Sequence, residues 1–253
     1  MTTGATPSAL EIWSVDLDRA AAALAAVSAE LSMTLPPATR AYDPHRLTAH
    51  QALRLLLAAR VGLVGALAPF RIGERGKPYL ADGGLEFSLA HSGGRALIAL
   101  SDVAPGGVDI EARRRMTMSA PRRAAIERAA IQIAGGRELA QSAGDERTLQ
   151  AWVRLEAAAK ASGEGIGSLL ERLRARPGWW QDNVSAPDAP VTAIESAVAN
   201  RPFAMAIDLT LTQGYIGAIA GFGLGRQCSE FPCVVDLPTD PLGLRAIVGP
   251  LAV

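Results

Sequence analysis

Leu85-Glu-Phe-Ser-Leu89, Ala96-Leu-Ile-Ala-Leu100 and Val108-Asp-Ile-Glu111 are three short apolar-rich runs separated by Ser92-Gly93-Gly94 and Gly106-Gly107. Runs of that length between glycine breaks predict strands joined by turns, with Gly106-Gly107 turning the chain into the third strand. Helical patterns flank this β-rich middle on both sides. Upstream, Asp43 N-caps and Pro44 opens a helix running to about Leu67, whose polar face carries Arg46, His50 and Arg54. Before it, Leu10 to Leu17 alternates like a half-buried strand, Asp18 to Leu31 is an alanine-rich helix, and Pro36-Pro37 interrupts the chain before the next helix. Downstream, Pro121 to Ala140 and Glu146 to Ser162 have helical patterns, the second ended by Gly163-Glu-Gly-Ile-Gly167. Phe203 to Thr212 and Tyr215 to Ala220 predict a hairpin around Gln213-Gly214, and Trp180 to Asn200 has no pattern that defines an element. From Arg226 on, the expectation is a poorly anchored extension.

With 253 residues, 49% of them hydrophobic and 20% charged, the chain can bury one large core or two smaller ones and is not disordered. Its 25 basic and 25 acidic residues cancel, so no global field draws it to nucleic acid or to an anionic membrane; an anion site has to be local. Cys228 and Cys233 have no second pair beside them, which excludes a multi-disulfide framework and a structural zinc site. The first residues lack the pattern of a secretory peptide, so the cytoplasm is the expected compartment. Leu55 to Phe70 is interrupted by Arg60 and closed by Pro69, which predicts a buried helix rather than a membrane span.

Chemistry concentrates in a few polar islands. Asp109 and Glu111 are two apart, so on a strand both carboxylates leave one face, roughly 7 Å apart. Glu156 and Lys160 are four apart and stack on one face of a helix. Three acids suit a hard, oxygen-seeking ion such as magnesium, which keeps places for water and substrate phosphates, and Lys160 then meets a phosphate. Each pair also has a bland reading: a solvated strand edge with ordinary salt bridges for Asp109 and Glu111, and a surface ion pair worth about 0.3–0.5 kcal/mol for Glu156 and Lys160.

Taken in order, Gly76-Lys-Pro-Tyr79, Phe87-Ser-Leu-Ala-His-Ser92, Gly107-Val-Asp-Ile-Glu111 and Trp152-Val-Arg-Leu-Glu-Ala157 with Lys160 and Gly163-Glu-Gly165 resemble the 4'-phosphopantetheinyl transferases of the two-lobed Sfp type. The likeness runs from about Arg46 to Gly167. It implies an α+β fold of two similar lobes related by pseudo-two-fold symmetry, each a small antiparallel sheet with helices, and a monomer. The expected division is 1–106 for an N-terminal lobe that contacts the adenine and 3'-phosphate of coenzyme A, 107–225 for a C-terminal lobe with the metal-binding carboxylates and Lys160, and 226–253 for the extension, with the site between the lobes.

The activity the resemblance implies is magnesium-dependent transfer of phosphopantetheine from coenzyme A to a serine of an acyl or peptidyl carrier protein, in fatty-acid, polyketide or nonribosomal-peptide synthesis. Asp109, Glu111 and Glu156 then hold the metal, Lys160 stabilises phosphate charge, and Glu156 is the candidate base. His91 resembles the histidine that contacts the 3'-phosphate, Arg46 a phosphate-pairing arginine with Arg54 as the fallback, and Gly76-Lys77-Pro78 a backbone that faces the adenine. Two positions depart from the family pattern. Ala90 stands where a serine usually precedes the histidine, leaving Ser88 or Ser92 to compensate, and Leu155 replaces a lysine, with Arg154 one step earlier. Arg113, Arg114, Arg115, Arg122 and Arg123 offer a basic surface for an acidic carrier, or a solubilising charge run. The segment from Arg113 to Ala140 lacks the aromatic that relatives often carry there. Two rivals remain: a non-catalytic paralogue that binds coenzyme A or a carrier protein, and a metal-dependent phosphodiesterase, for which the extra histidine and aspartate clusters are missing.

Overall fold

The runs between residues 85 and 111 are strands, and a computed structural model of the chain describes residues 10–33, 43–140, 144–179, 203–222, 224 and 233–249. The fold is mixed α+β: six helices and three small sheets among the described residues. The described chain divides into two units. Residues 10–72, 78–105 and 233–249 make the first, and residues 73–77 and 106–224 the second.

In the first unit, β1 (Leu10–Asp16) leads directly into α1 (Leu17–Glu30), because Asp16 caps the helix by accepting from the Arg19 amide. Asp43 does the same for α2 (Pro44–Leu67), accepting from the amides of His45 and Arg46, with Pro44 in the first turn. Gly62 breaks α2 with φ 74° and ψ 168°, a conformation only glycine adopts cheaply. By length and composition α2 could cross a membrane, but its Leu53, Leu55, Leu56 and Leu57 sit in the core of the unit with Leu24, Val27, Ile98 and Leu100. A two-stranded hairpin, β2 (Arg71–Ile72) and β3 (Pro78–Tyr79), comes next. β4 (Glu86–Ser92) and β5 (Arg95–Ser101) then form a hairpin in which His91 faces Ala96, and β5 pairs antiparallel with β1.

The tail departs from expectation. β9 (Val234–Asp236) pairs in parallel with the outer edge of β1, and α6 (Pro241–Val248) packs on α1 and α2, burying Leu237, Leu244 and Val248 in the first unit's core. Residues 233–249 are therefore an integral layer rather than a loosely held extension, because a short strand and an amphipathic turn of helix supply what the sheet edge and the helix pair leave uncovered. Arg245 ties this layer to Glu30, with Nη2 to Oε2 at 2.6 Å.

In the second unit, β6 (Gly106–Ala112) is longer than the sequence suggests: Gly106 and Gly107 are inside the strand, paired with Gly221 and Ala220, and do not make the turn. The sheet order is β6-β8-β7, with β7 (Met205–Leu209) and β8 (Tyr215–Gly221) as the anticipated hairpin. α3 (Ala120–Ile133) stops short of Ala140 because Gly135 and Gly136 both take positive φ. α4 (Asp145–Ser162) lies across the sheet and ends at Gly163 in the left-handed region. α5 (Ile166–Ala175), which no pattern in the sequence announced, follows it and buries Leu169 and Leu173. The stretch 180–200, the Pro36-Pro37 pair and Cys228 lie outside the described residues; Cys233 is a free, exposed thiol.

Candidate active site

The second unit gathers its acids because α4 approaches β6 unusually closely. A Cβ on Gly107 would lie 2.1 Å from the Ala157 carbonyl oxygen and 2.4 Å from the Ala161 nitrogen, so helix backbone rests directly on strand backbone. That contact points the Glu156 and Lys160 face of α4 at the Asp109 and Glu111 face of β6. Lys160 Nζ donates to Asp109 Oδ1 at 2.6 Å. Asp109 is buried, and burial pushes its carboxyl up to about 6; Lys160 opposes the shift by charge and by hydrogen bond, while Glu156 and Glu111 add to it. Glu156 is also raised, by burial first and further by Glu111, with Lys160 opposing. Glu111 is held by Arg114, whose Nη2 donates to Oε1 at 3.2 Å.

Asp109, Glu111 and Glu156 line one cavity of about 460 Å³ together with Trp152, Arg114, Arg122, Met116, Thr117 and Met118. Among the described residues no group of three or more His, Cys, Asp or Glu side chains already stands as a ligand set for a metal. The donor chemistry nevertheless fits a hard divalent cation. Three carboxylates share one cavity; burial first, and their mutual repulsion after it, raises Asp109 and Glu156, and a bound cation would offset both.

The positions that departed from the family pattern have structural explanations. Leu155 is fully buried, so its side chain belongs to the core and brings no charge to the cavity. Arg154 does not substitute for it: it is 3% exposed and donates from Nε and Nη2 to Asp208 on β7, and to the carbonyls of Arg137 and Glu138. The basic run is also mostly spoken for. Arg113 pairs with Glu146, Arg114 with Glu111, and Arg123 with Asp145 at 2.9 Å. Arg115 adds its charge to the pull of Arg123 that lowers Asp145. Arg122 alone of the five both lines the cavity and has no ion-pair partner among the described residues.

The first unit carries a separate basic group. Arg46 and His50 share a face of α2, and His50 feels the charges of Arg46, Arg54 and His91. Burial, then these three, holds His50 below the usual histidine range. His50 stands one helical turn after Arg46, on the face that the sequence marks as polar. Arg54 has neither of its expected roles, phosphate contact or solvated face. It is buried, its Nη1 donates to the carbonyls of Ala66 and Ala68, and its guanidinium lies 3.6 Å from the Phe70 ring centre, so it closes the end of α2. Ser88, Ala90 and Ser92 leave β4 on the face opposite His91 by strand alternation. Gly76 turns the β2–β3 hairpin with φ 90°, Pro78 pairs with Ile72, and Lys77 Nζ donates to the Gly106 carbonyl at 3.3 Å.

No family model matches the chain. It is 32% identical over 141 residues to a putative 4'-phosphopantetheinyl transferase, slr0495, of Synechocystis sp., a match covering 53% of this chain and 56% of that protein. It is 30% identical over 214 residues to the 4'-phosphopantetheinyl transferase HetI of Nostoc sp., covering 74% of this chain and 87% of that protein. The chain thus spans just over half the length of the first relative and most of the second.

Proposed function

The chain belongs to the 4'-phosphopantetheinyl transferase family, and we propose that it transfers the 4'-phosphopantetheine group of coenzyme A to a serine hydroxyl of an acyl or peptidyl carrier protein, with magnesium held by Asp109, Glu111 and Glu156. The observation that supports this reading is the convergence of those three carboxylates on one cavity, with Lys160 hydrogen-bonded to one of them, Asp109. In the balanced reaction the serine oxygen forms a bond to the phosphopantetheine phosphorus, the bond from that phosphorus to the bridging oxygen breaks, and adenosine 3',5'-bisphosphate leaves. When bound, the cation would supply charge neutralisation for the pyrophosphate.

The remaining work falls to the chain's own side chains. Glu156 takes the serine proton; burial raises its carboxyl above its ordinary value, which makes the carboxylate a stronger base. Lys160, released from Asp109 when phosphate arrives, compensates charge on the leaving group. Arg114 keeps Glu111 oriented. Arg46 and His91 contact coenzyme A phosphate, Gly76, Lys77 and Pro78 face the adenine, and Ser92 supplies a hydroxyl in place of the one missing at Ala90. We take the protein to act as a cytoplasmic monomer, and its two units to be copies of one plan. What supports the latter is their shared order: an opening strand, helices, then a hairpin whose second strand pairs antiparallel with the opening one.

The test is intact-protein mass spectrometry of apo carrier proteins incubated with the chain, coenzyme A and magnesium, with a chelator control. A metal-dependent gain of one phosphopantetheine, lost when the acceptor serine is changed to alanine, is expected. Binding of coenzyme A without any gain across a broad carrier panel would refute the transferase and leave a binding paralogue.

A further inference from the structure

The face of the sheet under α4 consists of rows that cross all three strands. Register puts Gly107 of β6, Ala220 of β8 and Ala206 of β7 in one row, and Asp109, Ala218 and Asp208 in the next. α4 rests on this face with alanines, Ala157 and Ala161 lying directly over Gly107. Small residues on both sides leave no large ridge to set how the helix is rolled about its axis. The acids at the two ends of the second row do so instead. At the β6 end Lys160 reaches Asp109 at 2.6 Å. At the β7 end Arg154 spans Asp208, with Nε to Oδ1 at 2.8 Å and Nη2 to Oδ2 at 2.7 Å, and Gln150, one turn earlier, donates to the same carboxylate at 2.7 Å. The two acids are two strand spacings apart, about 10 Å, so α4 is tied on both flanks.

The tie at β6 is given up during the reaction, when Lys160 leaves Asp109 for phosphate. The tie at β7 has no such alternative, since Arg154 is buried and also donates to the carbonyls of Arg137 and Glu138 at 2.9 and 3.1 Å. We propose that Asp208 is a positioning residue: acting through Arg154 and Gln150, it fixes the roll of α4 so that Glu156 keeps its place opposite Asp109 and Glu111 while Lys160 changes partner. The inference rests on the transferase reading above and adds to it a residue that does not line the cavity. Glu156 follows Arg154 by two residues, about 200° round the helix, so the tie and the acid act on opposite flanks. On a helix about 10–12 Å across with its side chains, a roll of about 10° moves a side-chain tip by roughly 1 Å.

The Asp208 side chain is 35% exposed, so Asp208→Asn removes its charge with little change of shape and no new cavity. The chain is titrated with Mn2+, followed by the electron-spin signal of the free ion, and transfer to an apo acyl carrier protein is timed with coenzyme A and magnesium. Both are measured below the unfolding transition of each variant. For Asp208→Asn the Kd for Mn2+ rises about 10-fold, kcat falls about 100-fold, and KM for carrier and for coenzyme A stays within about 2-fold. Asp208→Glu, which keeps the ion pair, holds kcat within about 5-fold of wild type. An Asp208→Asn protein that unfolds more easily but keeps the wild-type kcat and Mn2+ affinity overturns the inference, because a tie that only stabilises the fold gives that result. If Asp208→Asn does not fold, Gln150→Ala cuts the other bond to Asp208 and leaves the ion pair in place; a kcat about 10-fold lower is then expected, and an unchanged kcat overturns the inference. A wild-type chain that binds Mn2+ but modifies no carrier overturns the transferase reading, and the Mn2+ affinities of the variants still decide whether Asp208 positions Glu156.

Discussion

A single methyl group at position 107 should dismantle the site with every charged residue of the sequence left in place. The Cβ of Gly107→Ala would stand 2.1 Å from the Ala157 oxygen, 2.4 Å from the Ala161 nitrogen and 2.9 Å from Lys160 Cβ. A tolerable carbon-to-oxygen contact is about 3.3 Å, so α4 has to retreat by roughly 1.2 Å, and the opposing atoms are helix backbone, which has no rotamer to yield. Overpacking of this kind costs about 1–3 kcal/mol, here at the upper end. Retreat by that distance also takes Lys160 Nζ from 2.6 Å to beyond hydrogen-bond reach of Asp109, and displacement by about 1 Å can cost on the order of 100-fold in rate. Gly106→Ala is the internal control, because its Cβ would meet nothing nearer than the Ala220 oxygen at 3.7 Å, an ordinary contact. Urea unfolding and carrier modification followed by mass should show Gly107→Ala destabilised by about 2–3 kcal/mol and slowed by about 100-fold, with Gly106→Ala near wild type in both. A Gly107→Ala protein within about 0.5 kcal/mol and 3-fold of wild type would refute the claim that this backbone contact sets the geometry.

Arg154→Met should cost about 3–5 kcal/mol, since it leaves Asp208 without its cation, holding only the Gln150 amide, and strands two carbonyls, whereas Arg154→Met combined with Asp208→Leu should recover part of the loss; additive losses in a double-mutant cycle by urea denaturation would argue against a coupled pair. Leu244→Ala should cost about 2–5 kcal/mol because its side chain is fully buried, and a neutral result would return the tail to the status of an appendage. His50 has a folded pKa below its ordinary value, so the unfolded chain binds the proton more readily and this contribution to stability, full above about pH 6.5, is lost as the pH falls below it. The stability difference between wild type and His50→Gln should therefore shrink or reverse on acidification, and a difference that grows would contradict the assigned direction.

Much of the fold was legible because its signals are local. Asp43-Pro44 and the glycines at 93, 163 and 214 act within their own turns, and alternation over a few residues marks a strand wherever it lies. Elements whose stability comes from distant contacts were not legible. β9 is three residues long and becomes a strand because β1 has a free edge, and α6 is held by α1 and α2, so nothing within residues 233–249 could announce them. Gly106-Gly107 misled for the same reason: glycine pairs read as turns, but at Gly107 the missing side chain makes room for a helix that lies far along the chain.

The site divides along the same line. Spacing alone put Asp109 with Glu111 and Glu156 with Lys160, because strand and helix periods are properties of the local chain. The meeting of the two pairs depends on α4 resting on β6, a contact that spacing does not encode. The arginines make the point more sharply, since Arg113, Arg114, Arg115, Arg122 and Arg123 looked interchangeable in sequence. Their partners separate them: Glu146 and Asp145 belong to α4, so only the packing of that helix reveals that Arg113 and Arg123 are internal ties. A net charge of zero conceals the remainder, because pairing most of the local charge leaves Arg122 on the cavity with no ion-pair partner among the described residues.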